Sequence, residues 1–186
     1  MNIIRLKREN TGLLLVDFQE KLIPVMHSEQ KVVASGLKLL HLARLYKLPV
    51  ILTEQYPKWL GSTMPEIKEH LSVYEPVQKM EFDCCEQADF QAALKSEKWA
   101  GVENIVLTGV ESHICILQTC MSLLEQGYKV HVPYDAVASR SVDDHHIGLE
   151  LMRQSGAIIT GTETIIFQML QKAGSKEFKE MLKLVK

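Results

Sequence analysis

Short apolar runs and amphipathic segments alternate along the whole chain. An apolar run bounded by Gly, Pro or polar residues is typical of a buried strand, whereas apolar residues at helical spacing are typical of a helix. These patterns predict strands over 11–16, 49–53, 75–79, 104–108, 128–133 and 157–160. They predict helices over 30–46, 87–95, 112–126, 142–155, 162–173 and 176–185, with a long loop over 54–65. Strands that alternate with helices indicate an α/β fold whose mainly parallel sheet is covered on both faces.

Length, charge and hydropathy limit the classes of protein that fit this pattern. The chain has 186 residues, of which 46% are hydrophobic, so we expect a single domain over 1–186 with a substantial core. A net charge of -2 provides no basic field for nucleic acid. No run approaches the roughly 18 apolar residues of a membrane span, and no early stretch has the pattern of a secretory signal. We therefore expect a cytoplasmic protein that binds neither nucleic acid nor membrane.

The cysteines and the first strand-to-helix turn argue against two kinds of bound group. Cys84, Cys85, Cys115 and Cys120 contain no CxxC pair, so we expect free thiols rather than a zinc site or a disulfide scaffold. The turn after the first predicted strand reads DFQEK over 17–21 and lacks the Gly-rich pattern of a dinucleotide site. We therefore expect no cofactor.

Three chemically active residues follow predicted strands. Asp17 ends the first strand, Lys79 ends the third, and Cys115 follows the fourth. Ligands of parallel α/β sheets bind beyond the carboxyl ends of the strands, which meet at one edge. We therefore expect Asp17, Lys79 and Cys115 to lie close together.

This trio of residue types suits nucleophilic catalysis. Cys115 lies in the first turn of its predicted helix, where unpaired N–H groups and the helix dipole lower the pKa of a thiol. An ammonium at Lys79 stabilises the thiolate, and a carboxylate at Asp17 moves its proton. Backbone N–H groups of the turn after Gly109 can hold an oxyanion. Taken singly, each residue also fits a structural role: Cys115 as a buried small apolar residue, Asp17 as a turn residue or helix cap, and Lys79 as a surface lysine.

Several ordered motifs resemble those of the isochorismatase-like cysteine hydrolases. LVDFQ over 15–19 resembles their opening Asp-x-Gln motif, KMEFD over 79–83 their lysine segment, and GVESHIC over 109–115 their nucleophile segment. Further segments are similar to the subgroup of isochorismatase domain-containing proteins, namely TEQYP over 53–57, SRS over 139–141 and MRQSGA over 152–157. The resemblance covers nearly the whole chain.

The resemblance implies a Rossmann-like three-layer α/β/α sandwich with a catalytic triad of Asp17, Lys79 and Cys115. It implies a metal-independent hydrolase of a small molecule, in which Cys115 is the nucleophile, Asp17 shuttles the proton and Lys79 stabilises the thiolate. It also implies a cis peptide bond between Val110 and Glu111, which with the Cys115 N–H forms the oxyanion hole. A homo-oligomer, either a dimer or a tetramer, is implied as well.

Two departures from relatives narrow the expected chemistry. Nicotinamidases of this family bind a metal through an Asp-x-His after the second strand; residues 53–56 read TEQY here, so we expect no metal, although Glu54 could ligate one. The best-known isochorismatases cleave a vinyl ether and lack the cysteine, so Cys115 favours an amidase-type or related acyl-transfer hydrolysis. A nicotinamidase-like, metal-assisted amidase stays open as an alternative. So do a non-catalytic binding or scaffold protein on the hydrolase fold, and a thiol redox sensor that uses Cys115 or the adjacent Cys84 and Cys85.

The candidate substrate contacts are Gln19, Tyr56, Trp59 and Phe82. An aromatic-lined pocket suits a small planar or apolar acyl group. Tyr56 and Trp59 fit a subunit interface equally well, because aromatic side chains are enriched there.

Overall fold

A single twisted sheet organises the chain. The computed structural model describes residues 5–186, so the first four residues of the predicted domain lie outside it. Within this range seven strands form the sheet, each parallel to its neighbours, in the order β3-β2-β1-β4-β5-β7, with β6 paired to β4. The strands are β1 Thr11–Val16, β2 Val50–Gln55, β3 Val77–Lys79, β4 Asn104–Val110, β5 Lys129–Pro133, β6 Val137–Ala138 and β7 Ile158–Thr160.

Helices cover the sheet on both faces. Those of the described range are α1 Glu29–Tyr46, α2 Pro57–Leu60, α3 Pro65–Lys68, α4 Ala88–Leu94, α5 Cys115–Glu125, α6 Val142–Gln154, α7 Thr162–Leu170 and α8 Lys176–Val185. Short 3₁₀ turns span Arg8–Asn10, Ile23–Val25, Cys84–Glu86 and Glu97–Trp99. Within residues 5–186, none of the helices is both long and apolar enough to cross a membrane.

The central strand β1 is buried on both faces, which explains why its apolar run is continuous. Leu13 and Leu15 pack into one core cluster with α1, α7 and α8, while Leu14 and Val16 pack into a second cluster with α4, α5 and α6. Successive side chains of a strand point to opposite faces, so a strand buried on both faces needs apolar residues at every position. The predicted α/β sandwich with a mainly parallel sheet is therefore confirmed.

Three local features differ from the sequence prediction. The predicted loop 54–65 is partly regular, because β2 continues through Gln55 and α2 follows at Pro57. The strand β6 was not predicted, since its two residues are too few to show a period. Helix α5 begins at Cys115 rather than at residue 112, because residues 111–114 form the turn that leaves β4.

Gly109 allows β1 and β4 to approach closely at the edge of the sheet where the candidate residues lie. Its φ is +119°, and a Cβ at this position would lie 1.9 Å from the carbonyl oxygen of Val16. Only glycine avoids both the steric clash and the strain of this backbone region. The close contact brings the turn after β4 next to Asp17.

Candidate active site

The structure brings Asp17, Lys79 and Cys115 to one edge of the sheet. Asp17 follows β1 with a left-handed φ of 56°, Lys79 is the last residue of β3, and Cys115 is the first residue of α5 after β4. Lys79 Nζ donates a hydrogen bond to Asp17 Oδ2 at 2.8 Å, and both side chains are 0% exposed. The pair is therefore a buried ion pair beside a buried cysteine.

The surroundings of Cys115 raise the pKa of its thiol. The residue is 6% exposed, and burial is the largest cause that raises the pKa of its thiol. The charge of Asp17 raises this pKa too, and the charge of Lys79 lowers it without offsetting these effects. The expectation of a lowered thiol pKa is wrong, because desolvation outweighs the ammonium and the helix N-terminus.

Lys79 uses all its donors within the protein. Besides the bond to Asp17, its Nζ donates to Gln55 Oε1 at 2.5 Å and to the carbonyl oxygen of Glu81 at 3.3 Å. Burial is the largest single effect and lowers the pKa of Lys79, but the charge and hydrogen bond of Asp17 together with the neighbouring cysteines raise it above its ordinary value. An ammonium has three N–H donors. Lys79 therefore acts on Cys115 through its charge and not through a hydrogen bond.

Two residues at the end of β2 contact the ion pair, and the sequence prediction missed both. Thr53 Oγ1 donates to Asp17 Oδ1 at 2.6 Å, and Gln55 accepts from Lys79 as described above. Because β2 lies between β1 and β3, its last residues can contact both Asp17, which follows β1, and Lys79, which ends β3. The sequence did contain a signal for them: two polar residues two positions apart at the end of a predicted strand point to the same face of the sheet.

The turn from β4 into α5 offers backbone donors. The peptide bond between Val110 and Glu111 is cis, at the position that the resemblance implies, and Val110 supplies its carbonyl half. No side chain caps the start of α5. Among residues 5–186, neither the N–H of Glu111 nor that of Cys115 donates a hydrogen bond.

The side chain of Glu111 ties this turn to the segment after β6. Its carboxylate accepts hydrogen bonds from the backbone N–H of Arg140 at 3.0 Å and from Arg140 Nε at 3.1 Å. The backbone carbonyl of Glu111 accepts from the N–H of Ile114 and of Ile116. Glu111 is therefore fixed at both its backbone and its side chain.

Of the four predicted substrate contacts, one lines the open cavity at this edge. The cavity has a volume of about 550 Å³ and is lined by residues 56–58, 78–81 and Gln87, so Tyr56 belongs to it. Trp59 is 70% exposed and Phe82 is 55% exposed, and both lie outside this lining. Cys115 lies beneath the surface and does not line the cavity either.

Gln19 has a structural role, so its prediction as a substrate contact is wrong. Its side chain is fully buried, and its Oε1 accepts from the N–H of Gln55 at 2.8 Å. Its Nε2 donates to the carbonyl oxygens of Gln55 at 2.9 Å and of Gly61 at 2.7 Å. With both amide donors used, Gln19 holds the segment between β2 and α2 in place and has no surface to offer a substrate.

Glu54, the one candidate metal ligand after β2, is occupied by protein donors. Its Oε1 accepts from the backbone N–H and the hydroxyl of Thr63, both at 2.7 Å, and from the Tyr74 hydroxyl at 2.5 Å. Between residues 5 and 186, no three His, Cys, Asp or Glu side chains are grouped so as to hold a metal ion. The donor set at this edge therefore does not fit the metal of the nicotinamidase-like alternative.

Comparison with known proteins finds relatives of the isochorismatase family along almost the full length of the chain. The sequence model of the isochorismatase domain matches residues 11–164. The chain is 40% identical over 182 residues to isochorismatase domain-containing protein 2 of Danio rerio, covering 97% of this chain and 89% of the relative. It is 36% identical over 182 residues to isochorismatase domain-containing protein 2A of Mus musculus, covering 98% and 85% of the two chains.

Solved structures share the fold. The MAR1 ribonuclease from Caenorhabditis elegans superposes with a TM-score of 0.89 at 38% sequence identity, covering 98% of this chain and 92% of the other. The YcaC gene product of Escherichia coli, an octameric hydrolase of unknown specificity, superposes with a TM-score of 0.90. The two sequences are 22% identical, and the superposition covers 99% of this chain and 92% of the YcaC chain, so this likeness concerns the fold alone.

Proposed function

Because the chain belongs to the isochorismatase family, whose hydrolase fold it has, we propose that it is a cysteine hydrolase of a small molecule. The proposed reaction is of the amidase type or a related acyl-transfer hydrolysis. The observation that carries the proposal is the meeting of a thiol, a carboxylate and an ammonium at one edge of the sheet. Cys115 is the nucleophile, Asp17 moves the proton, and Lys79 supplies the positive charge.

The first half of the reaction acylates Cys115. The thiol proton passes to the Asp17 carboxylate as Cys115 Sγ bonds to the carbonyl carbon of the substrate. The negative charge that develops on the carbonyl oxygen is stabilised by the free N–H groups of Cys115 and Glu111. The C–N bond then breaks, the Asp17 carboxyl group returns the proton to the leaving amine, and a thioester remains.

The second half of the reaction releases the acid. A water molecule gives a proton to Asp17 and bonds to the thioester carbon, and the oxyanion forms again at the same N–H groups. The C–S bond breaks and the thiol regains the proton from Asp17. Lys79 keeps its charge throughout, which favours the ionised carboxylate and the transient negative charge on sulfur.

Burial and net charge favour a small substrate over a nucleic acid. Cys115 is almost covered, so the scissile bond of a substrate must enter a narrow site. The structural neighbour at 38% identity is called a ribonuclease. Recognition of RNA requires a positively charged surface, whereas this chain has a net charge of -2. We therefore propose a small-molecule substrate, and degradation of RNA that requires Cys115 would overturn this choice.

We also propose a reaction without a metal and a homo-oligomeric state, either a dimer or a tetramer. The reaction without a metal is supported by Glu54, whose Oε1 already accepts hydrogen bonds from Thr63 and Tyr74. Activity that a chelator removes and zinc restores would contradict it. Three large apolar side chains, Trp59, Met80 and Phe82, are exposed, and Met80 lines the cavity. Exposed side chains of this kind are typical of a subunit interface. Size-exclusion chromatography with light scattering tests the oligomeric state, because it compares the mass in solution with the 21.1 kDa of one chain.

Turnover of a panel of small amides and activated esters tests the hydrolase proposal. Cys115→Ala should abolish turnover, whereas Cys120→Ala, on the same helix and equally buried, should retain it. With the wild-type protein, mass spectrometry after rapid quenching should find the acyl group on Cys115. Turnover that persists in Cys115→Ala would contradict the proposal, and an inert Cys115 in a folded protein would favour the binding-protein alternative.

A further inference from the structure

We propose that Thr53 is a positioning residue for Asp17, the general base of the proposed hydrolase. This inference rests on the proposed function, because it assigns how the base of that reaction is oriented. Thr53 touches no substrate atom in this scheme. It acts by fixing the position of the carboxylate that receives the thiol proton.

Thr53 holds Asp17 at two points. Its backbone carbonyl oxygen accepts from the Asp17 N–H at 3.2 Å, and its hydroxyl donates to Asp17 Oδ1 at 2.6 Å. Asp17 has the left-handed φ of 56°, which is uncommon for a residue other than glycine. Such a conformation persists where its surroundings fix it, and these two bonds do so. The position of Thr53 on β2, directly beside Val16 of β1, makes both bonds possible.

The two oxygens of the carboxylate receive different donors. Thr53 donates to Oδ1, while the ammonium of Lys79 donates to Oδ2 at 2.8 Å. A carboxylate accepts through both oxygens, so donors on opposite sides fix the plane of the group. Lys79 alone leaves the carboxylate free to rotate about its bond to Cβ. Thr53 removes that freedom, and so it fixes the orientation of the carboxylate beside Cys115.

The test is the pH dependence of Cys115 alkylation by iodoacetamide, followed by mass spectrometry from pH 4 to pH 9. Thr53→Val removes the hydroxyl at nearly constant volume, and Thr53→Ser restores it. Thr108→Val is the matched control, because the Thr108 hydroxyl is equally buried and bonds only the Leu14 carbonyl oxygen at 2.8 Å. Thermal unfolding and circular dichroism at each pH establish that the variants fold, and Thr53→Ala replaces Thr53→Val if that variant does not.

We expect the alkylation rate of Thr53→Val to fall about tenfold across this pH range, because the carboxylate of Asp17 loses the donor that fixes its plane. Thr53→Ser and Thr108→Val should keep the wild-type profile. A Thr53→Val profile that coincides with that of the wild type would overturn the inference. So would an equal change in Thr53→Val and Thr53→Ser, since packing and not the hydroxyl would then be responsible.

Asp17→Asn separates this inference from the proposed function. If Asp17→Asn lowers the alkylation rate tenfold or more while Thr53→Val keeps the wild-type rate, Asp17 is the base and only the role of Thr53 is overturned. If Asp17→Asn itself keeps the wild-type profile, Asp17 is not the base, and the proposed function and the inference both fail.

Discussion

Breaking the buried pair of Asp17 and Lys79 should cost a large share of the stability of the fold. Both side chains are 0% exposed and their charged atoms lie 2.8 Å apart. In Lys79→Met, Asp17 keeps only Thr53 as a side-chain donor to its charge, and in Asp17→Asn the ammonium loses its counter-charge. Removing one member of a buried pair costs about 3–5 kcal/mol, because an uncompensated charge remains. A domain of this size is stable by about 5–15 kcal/mol, so each single variant should remain folded but close to its limit.

The double variant Asp17→Asn, Lys79→Met should cost little more than either single variant. Both charges are then absent, so the free energies of unfolding should not add and the coupling should be about 3 kcal/mol or more. Urea unfolding, measured by tryptophan fluorescence at one protein concentration, gives all four values. Lys129→Met is the matched control, since its pair with Glu103 at 3.4 Å is exposed and contributes little. Small and additive effects of the two single variants would refute the presence of two opposite charges in the resting site.

Three further predictions follow from contacts elsewhere. Gly109→Ala should lower the free energy of unfolding by about 3 kcal/mol, because its Cβ would lie 1.9 Å from the Val16 carbonyl oxygen; a wild-type urea midpoint would contradict this. Burial lowers the pKa of His131 to about 4, so its share of the stability is complete above about pH 6.5 and is lost as pH falls through 4. His131→Leu should therefore flatten the acid loss measured by urea unfolding by about 1.4 kcal/mol per pH unit in that window, and an unchanged slope would count against it. Gln19→Leu should speed amide hydrogen exchange in residues 55–61, because three backbone groups lose their partners; protection equal to that of the wild type would show that Gln19 is dispensable there.

The convergence of the site was predictable from the sequence because it depends on topology. In a parallel sheet every carboxyl end lies at the same edge, so residues that end different strands meet whatever their separation along the chain. Asp17, Lys79 and Cys115 satisfy this condition. The strands before Asp17 and Cys115 contain clear apolar runs, whereas β3, which ends at Lys79, is only the three residues VQK. Identifying the strands was therefore sufficient to bring the three residues together.

The direction of individual side chains was not predictable in the same way. Gln19 follows Asp17 by two residues, so a regular strand would point both towards the same face. The left-handed φ of Asp17 breaks that period and turns Gln19 towards the backbone of Gln55 and Gly61. A single backbone torsion, invisible in the residue types, thus changes a predicted substrate contact into a structural residue.

The pKa of the Cys115 thiol depends mainly on burial, and this makes the proposed role of Asp17 as proton acceptor more important than the sequence suggests. A helix N-terminus and a nearby lysine predict a thiolate, yet burial holds the pKa of Cys115 above its ordinary value. Lys79 cannot offset this by direct contact, because its three donors already bind Asp17, Gln55 and Glu81. In the proposed reaction the proton leaves the thiol as the carbon–sulfur bond forms, so we expect the rate to depend on how well the Asp17 carboxylate is aligned. We infer that a thiol with a raised pKa makes such a hydrolase selective, because only a substrate that contacts both Asp17 and the unpaired N–H groups is expected to react.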